Sequence, residues 1–427
     1  MAEITPVQPG SVAFVELLTE LYQGPWQFVQ LRGAPIGVQD IDAGDVDFLG
    51  NRASVDALLT AAFAWVRAGR CHMRVRSRDA NKMVLVLHSL DGSQAVSLDL
   101  WMQLWQLDAG RSCLRYEQCV PLLTGPRSGI HRLPAVAEAC VYVHHLISKQ
   151  KDLASERVQG RLAGYVEDCT SAGDGELASA LGRIAAERCI DAACLACCNS
   201  RLRGLGLAGQ TNTGPRWPGK LVDELRAAWL DAPRKTRYIA LMGCDGSGKT
   251  SLARVLRQDD PETYSVYTGK HLYRKSMLYK LATIFIRPLL FQPREQFDEF
   301  LAPWNYLRAS VALQLKLWFN RSCITLVDRS LVDFLMVARK TDRPRFHRTR
   351  WLVALLGRRI ATVHVVVPQE RLQARKQEMT PAGHIEYDRL MFEHFSRRTP
   401  TDYCAFYNGG SLEESGRALR RLLMRLA

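Results

Sequence analysis

The sequence predicts an α/β protein: a doubly wound parallel sheet in the C-terminal half, preceded by an α+β domain. Three observations carry this. From about residue 236 short apolar runs alternate with helical stretches, as buried parallel strands joined by helices do. One of those runs, Tyr238–Met242, leads into Gly243-Cys244-Asp245-Gly246-Ser247-Gly248-Lys249-Thr250, which fits G-x-x-x-x-G-K-[ST] between a strand and a helix. Before residue 200, strand-like runs come first and a long helical stretch follows.

The length of 427 residues predicts two or three domains, at roughly 100–200 residues each. A hydrophobic fraction of 47% with 23% charged residues excludes a disordered or fibrous chain. No apolar run reaches the roughly 20 residues that span a bilayer, so an integral membrane protein is not expected. The opening MAEITPVQPG shows no basic segment followed by an apolar one, and the 12 cysteines then read as reduced thiols of a cytoplasmic protein.

Charge is unevenly placed. Residues 1–200 hold 18 Lys+Arg against 22 Asp+Glu, a net of −4, whereas the remainder holds 39 against 21, a net of +18. The basic half is expected to meet something anionic: phosphates, nucleic acid or an acidic membrane surface.

In chain order, residues 11–23 and 53–68 carry apolar residues at helical spacing. Gln27–Leu31 and Asp45–Leu49 read as strands, as do Met83–His88 and Ala95–Trp101 around a turn at Asp91-Gly92-Ser93. Pro134–Cys198 is helical in pattern. These segments make a domain over 1–198. Residues 199–219, rich in Gly, Pro, Asn and Thr, open a linker that runs to 234 and includes a short helix at 220–231. In the domain over 235–427, a helix from Lys249 follows the first strand. A long helix near 303–320 precedes strand Ile324–Val327, and strand Thr362–Val367 precedes a helix from Gln369. The last strand, Ala405–Tyr407, precedes a helix from Leu412.

The octet has a chemistry of its own. Gly243, Gly246 and Gly248 let backbone N–H groups curl around phosphate oxygens, with Ser247 among the loop donors. The following helix start adds a favourable dipole. Lys249 reaches the terminal phosphates and Thr250 ligates Mg²⁺, so ATP and Mg²⁺ are the expected cofactors. Asp328, at the end of its strand, is the expected second metal-side acid, and Arg329 beside it can fork onto a phosphate. Arg371 and Arg375, four apart, share a helix face able to close over a transferring phosphoryl group.

Together, GCDGSGKT, the VDRS segment, VPQERLQARKQ and the tail NGGSLEESGRALRRLL resemble the thymidylate kinase family of P-loop nucleoside-monophosphate kinases, over about residues 236–427. The resemblance implies a five-stranded parallel sheet and transfer of the ATP γ-phosphoryl group to a monophosphate such as dTMP. It implies that Lys249 and Thr250 serve ATP and Mg²⁺, and that Asp245 faces the acceptor. Asp328 and Arg329 then lie between metal and acceptor phosphate, Arg308 on the acceptor side, and Arg371 and Arg375 in a lid. The family's Arg-Glu-Pro-Gly-Gly acceptor segment is missing after the second strand, which leaves a sugar, glycan or lipid-linked acceptor open. A nucleotide-sensing module without turnover is the reading from another class. Met277–Phe291, mostly apolar with Lys280 and Arg287 inserted, reads as a core helix covering the sheet. The alternative is an interfacial helix touching lipid.

In the first domain, a Gly33 turn, then Asp45-x-Asp47 and a lone strand acid, Asp99, resemble the nucleotidyltransferase superfamily over about residues 20–110. That resemblance implies an α+β fold in which the three acids ligate metal around a nucleotide triphosphate, with Arg32 and Lys82 as nearby cations. Ala34 departs from the pattern, and a binder without catalysis is the alternative. Asp99 sits in an apolar strand, where an unpaired carboxylate is costly.

Cys189, Cys194, Cys197 and Cys198 are read as small helix residues rather than zinc ligands, because no second spaced pair follows. His144 and His145 lie in an apolar helical run, and at least one is expected in the core. The expected partners are a nucleotide or other phosphate-acceptor substrate, a membrane or lipid-linked substrate at the periphery, and a second copy of the chain as a homodimer. No nucleic-acid-binding signature is visible.

Overall fold

The computed structural model describes residues 9–32, 45–77, 81–107, 112–123, 129–207, 237–259, 263–267, 277–290, 324–328, 361–375, 380–396 and 402–426. Arg308, Arg329, the Gly33-Ala34 turn and the expected helices at 220–231 and 303–320 lie outside the described residues. The chain forms two compact units that interleave in sequence. One takes Met1–Ala61, Arg78–Val86 and Val96–Leu221, and the other Ala62–Ser77, Leu87–Ala95 and Val222–Ala427.

Up to residue 207 the elements run α1 (Pro9–Gln23), β1 (Gln27–Gln30), β2 (Asp45–Gly50), α2 (Arg52–Arg67), β3 (His72–Ser77), β4 (Lys82–His88), β5 (Ala95–Trp101), β6 (Leu104–Leu107), β7 (Ser112–Leu114), α3 (Tyr116–Cys119), β8 (Gly129–Arg132), α4 (Ala135–Ser148), α5 (Glu156–Ser171), α6 (Gly175–Glu187) and α7 (Ala192–Gly204). The first unit is α+β. Its strands lie in the order β4-β5-β2-β1-β8, with β2 parallel to β5 and antiparallel to β1, and β8 parallel to β1.

α1 buries Phe14, Leu17, Leu18 and Leu21, a helical stripe that explains why this segment coils and which side it hides. The predicted helical stretch divides into α4 to α7, joined by turns whose polar groups are satisfied locally. Asp174 caps α6 by accepting the Leu177 N–H at 3.1 Å, and Asp191 caps α7 by accepting the Cys194 N–H at 2.6 Å. The first six residues of the expected linker, 199–204, are helical instead. Leu202 is buried, and the Arg201 guanidinium donates to Asp174 at 2.7 Å and Glu176 at 2.7 Å, so α7 gains tertiary contacts that composition does not reveal. Cys194 and Cys198 are buried on α7, and His144 is a core residue bonded to Asn199 at 3.0 Å.

From residue 237 the elements are β9 (Arg237–Met242), α8 (Lys249–Asp259), β10 (Thr263–Tyr267), α9 (Met277–Phe285), α10 (Arg287–Leu290), β11 (Ile324–Asp328), β12 (Ala361–Val366), α11 (Gln369–Arg375), α12 (Pro381–Ser396), β13 (Asp402–Tyr407) and α13 (Leu412–Leu426). Five strands are parallel in the order β10-β11-β9-β12-β13. The chain leaves central β9 toward one edge, then crosses to the other, so the sheet is doubly wound with β9 and β12 flanking the switch point. Leu252, Leu256, Val363, Val365, Phe406, Leu419 and Leu422 form the core between sheet and helices. α13 contributes Leu419, Leu422 and Leu423 to it and exposes Arg417, Arg421 and Arg425 on its other side.

A sixth strand, unforeseen from sequence, closes this unit. β3 runs antiparallel to β13, with Arg74 opposite Cys404 and Arg76 opposite Asp402. Two arginines and a histidine interrupt β3, and its acidic partner lies 328 residues away. Arg74 is buried, and its Nε and Nη2 each donate to Asp402 at 2.8 Å, the bidentate fork that makes a buried guanidinium tolerable. Upstream of β3, Phe63 stacks on Phe392 at 4.5 Å. Beyond it, the predicted turn forms with Gly92 at φ +70.

α9 and α10 correct another expectation. Leu281, Ile284 and Phe285 are exposed, so the face of α9 that carries these three side chains is not packed on the sheet.

His72 is wholly buried and stacks on Phe406 at 4.4 Å. Its Nδ1 accepts the Tyr407 N–H at 3.0 Å, and its Nε2 faces the Leu90 carbonyl at 2.9 Å. These partners fit a neutral ring protonated on Nε2, since a second proton would confront the Tyr407 N–H. Burial pushes the His72 pKa down to about 4, against the opposing pull of the Leu90 carbonyl and Asp91. Burial likewise takes buried His88 down to about 3. A depressed histidine contributes stability that is fully present above its unfolded value and is lost as pH falls toward the folded one. Thermal unfolding midpoints should therefore drop as the pH is lowered from about 7.5 to about 5, with a shallower slope in His72→Gln.

Candidate functional site

The site in the second unit begins where β9 ends. Parallel pairing puts Met242 opposite His364 of β12, so Gly243 arrives beside the end of that strand. A Cβ on Gly243 would stand 2.7 Å from the Val365 carbonyl oxygen and 2.8 Å from Ser247 Oγ, and its φ is +148. Only glycine fits both the contact and the torsion. Gly246 and Gly248, at φ +92 and +89, turn the loop back so that α8 can start at Lys249.

Lys249 is buried, and its side chain folds back into the loop. Nζ donates to the carbonyls of Gly243 at 2.8 Å and Cys244 at 2.7 Å, and lies 3.3 Å from Ser247 Oγ. The Gly248 carbonyl accepts the Leu252 N–H at 2.9 Å, which locks the first turn of α8. Ser247 is buried, Asp245 half-buried, and Thr250 is exposed on the first turn of α8.

Asn408, just beyond β13, was not singled out from sequence. Its N–H donates to the Val366 carbonyl at 2.7 Å, and its Nδ2 donates to the Ser247 carbonyl at 2.8 Å. It is a positioning residue that fixes the loop from a strand two places away. A polar residue directly after the last apolar strand was the only trace in sequence.

Asp328 closes β11, next to β9 and in register with Leu241, so its backbone reaches the same end of the sheet as the loop. Arg371 lies exposed on α11, where Nη1 donates to the Gly410 carbonyl at 2.8 Å, tying α11 to the segment after β13. Arg375 ends the same helix, one turn further on. The structure therefore brings Gly243–Thr250, Asp328 and the arginine helix to the carboxyl ends of adjoining strands. The described residues do not include Arg308 and Arg329.

In the first unit, β2 and β5 set Asp47 directly opposite Asp99, and Asp45 opposite Ser97. Asp45 and Asp47 share a face by strand alternation, with Asp45 exposed. Arg32 pairs with Asp47 Oδ2, while Trp101 Nε1 donates to Asp47 Oδ1 at 3.0 Å. Lys82 pairs with Asp99, its Nζ lying 4.4 Å over the Trp101 ring. Burial raises the Asp99 pKa, and Asp47 and Asp45 add to that; Lys82 opposes it. Burial, with Arg32 nearby, pushes His145 down to about 3, so its ring is neutral.

Among the described residues no three His, Cys, Asp or Glu side chains converge on a point that would hold a metal ion. Both oxygens of Asp47 are engaged by protein donors and Asp99 is paired with Lys82, so these two acids form internal ion pairs, while Asp45 is exposed. In the second unit the fit is better: the glycine cradle, with Thr250 on the first turn of α8, suits a phosphate chain with its counter-ion.

No protein-family model matches the sequence, and neither does any curated protein. Solved structures do match, each over 45% of this chain. Thymidylate kinase from Candida albicans is similar at 16% identity with a TM-score of 0.34, over 92% of its own length. Thymidylate kinase from Ehrlichia chaffeensis is 12% identical with a TM-score of 0.29, over 99% of its length. A sugar kinase from Janibacter sp. HTCC2649 is 16% identical with a TM-score of 0.22, over 94% of its length.

Two substitutions test this packing. Gly243→Ala should lower stability by about 2 kcal/mol in urea unfolding, because the torsion and the Val365 contact both resist a Cβ. Asp99→Asn should cost about 3 kcal/mol by leaving Lys82 without its partner, and an added Lys82→Met should recover part of that loss.

Proposed function

We propose that the second unit is an ATP-dependent phosphotransferase, and that its acceptor is a nucleoside monophosphate of the dTMP type. The single observation that supports this most is the glycine cradle after central β9, closed around the buried Lys249 ammonium and braced by Asn408. On nucleotide binding, Lys249 exchanges loop carbonyls for phosphate oxygens without moving far. Backbone N–H groups of residues 246–250 and the start of α8 bind the phosphate chain. Thr250 and Asp328 would hold Mg²⁺, which supplies neutralisation of developing phosphoryl charge. Arg371 leaves the Gly410 carbonyl as α11 closes, and with Arg375 excludes water and meets the equatorial oxygens. Asp245 would face the acceptor, and Arg308 and Arg329 would orient its phosphate.

The missing Arg-Glu-Pro-Gly-Gly segment makes the acceptor the open part of this reading, and a sugar, glycan or lipid-linked hydroxyl is its competitor. For the first unit we propose nucleotide-phosphate binding of the nucleotidyltransferase type, in which Arg32 and Lys82 are released from Asp47 and Asp99 toward phosphate.

The test is phosphoryl transfer from γ-labelled ATP to monophosphates, sugars and glycans. Wild type should label dTMP, and Lys249→Ala should lose about 10²–10³-fold in rate. Label on a sugar or glycan alone would keep the mechanism and overturn the acceptor. ATP binding with no acceptor-stimulated transfer would overturn the phosphotransferase reading in favour of a sensor.

A further inference from the structure

α9 and α10 are the part of the second unit that the phosphotransferase reading leaves unused. Leu281, Ile284 and Phe285 are 40%, 63% and 64% exposed, and Ile286 is 39% exposed. Their spacing of three and four residues places Leu281, Ile284 and Phe285 along one face of α9, and Ile286 and Pro288, at and just after the turn into α10, are exposed beyond its end. Exposed apolar side chains in such a row are a contact surface, since scattered single ones would not align.

Along the sequence, the charge around this row has one sign. Lys280 is exposed on α9 directly before Leu281, and half-buried Arg287 opens α10. Between Thr263 and Arg294 the sequence has no Asp or Glu, but carries Lys270, Arg274, Lys275, Lys280, Arg287 and Arg294. A protein partner's apolar groove would be matched by the row alone. An apolar row with basic flanks and no acid fits a surface that is apolar beneath and anionic above, which is the interface of an acidic bilayer. No helix among the described residues is long and apolar enough to cross a membrane, so the contact is with one leaflet.

We infer that Met277–Leu290 is a docking face for an anionic lipid bilayer. Ile284 and Phe285 insert at the headgroup boundary, and Lys280 and Arg287 meet lipid phosphates. The docked unit then works beside the membrane, whatever its acceptor.

The experiment is co-sedimentation of the full chain with vesicles of phosphatidylcholine alone or with added phosphatidylglycerol. Wild type should bind the acidic vesicles, and salt should release it. Ile284→Asp with Phe285→Asp should weaken binding about ten-fold or more, with an unchanged melting temperature because both positions are exposed. Lys280→Glu with Arg287→Glu should remove the preference for acidic lipid. Equal or absent binding to the two vesicle types would overturn the inference, as would full binding by the aspartate variant. A wild-type dimer that this variant converts to monomers, with no vesicle binding, would assign the face to a second copy of the chain instead.

Discussion

The seat of Gly243 against the Val365 carbonyl is the contact on which the second unit's site depends. Parallel register brings β9 and β12 to the same level, and the chain leaving β9 must pass close to the end of β12. A side chain there would push the loop away from the sheet. With none, the loop settles low enough for Lys249 to reach back to the Gly243 and Cys244 carbonyls and for Asn408 to reach the Ser247 carbonyl. The ammonium is thus held in a buried place by two loop carbonyls and the Ser247 hydroxyl. The sheet supplies geometry, and the glycines let the backbone use it.

Both units handle buried charge in the same way. Arg74 is matched by Asp402 on a paired strand, Asp47 by Arg32, and Asp99 by Lys82. A lone ionised group in these sheets would lose its hydration without compensation, so each is set against an opposite charge. In the second unit the pairing also joins sequence-distant parts: β3 comes from the first hundred residues and β13 from the last thirty. His72 adds an uncharged version of the same device, with both ring nitrogens committed to backbone groups.

The glycine loop, the strand–helix alternation after residue 236 and the Asp45, Asp47 and Asp99 pattern were legible because each is local. Consecutive residues fix the loop's torsions, and period-2 or period-3.6 patterning survives without tertiary information. The register of Asp47 opposite Asp99 follows from two strands read separately, yet their ion pairs with Arg32 and Lys82 required the fold. β3 alternates His72, Arg74 and Arg76 with Met73 and Val75, but its place in the sheet was illegible because the carboxylate that makes buried Arg74 tolerable, Asp402, sits over three hundred residues away. α7 runs past Cys198 for the same reason, since Arg201 and Leu202 find their partners on other elements.

By itself, then, the sequence determined a glycine-rich loop between strand and helix, a doubly wound half and an acid-bearing half before it. Those properties depend on neighbours along the chain, where torsion and periodicity act. The tertiary structure alone decided that β3 completes the second unit, that Asn408 braces the loop, and that α9 turns its apolar row outward. Each of these is a choice between partners distant in sequence, and an apolar helix reads the same whether a core or a solvent-facing surface receives it.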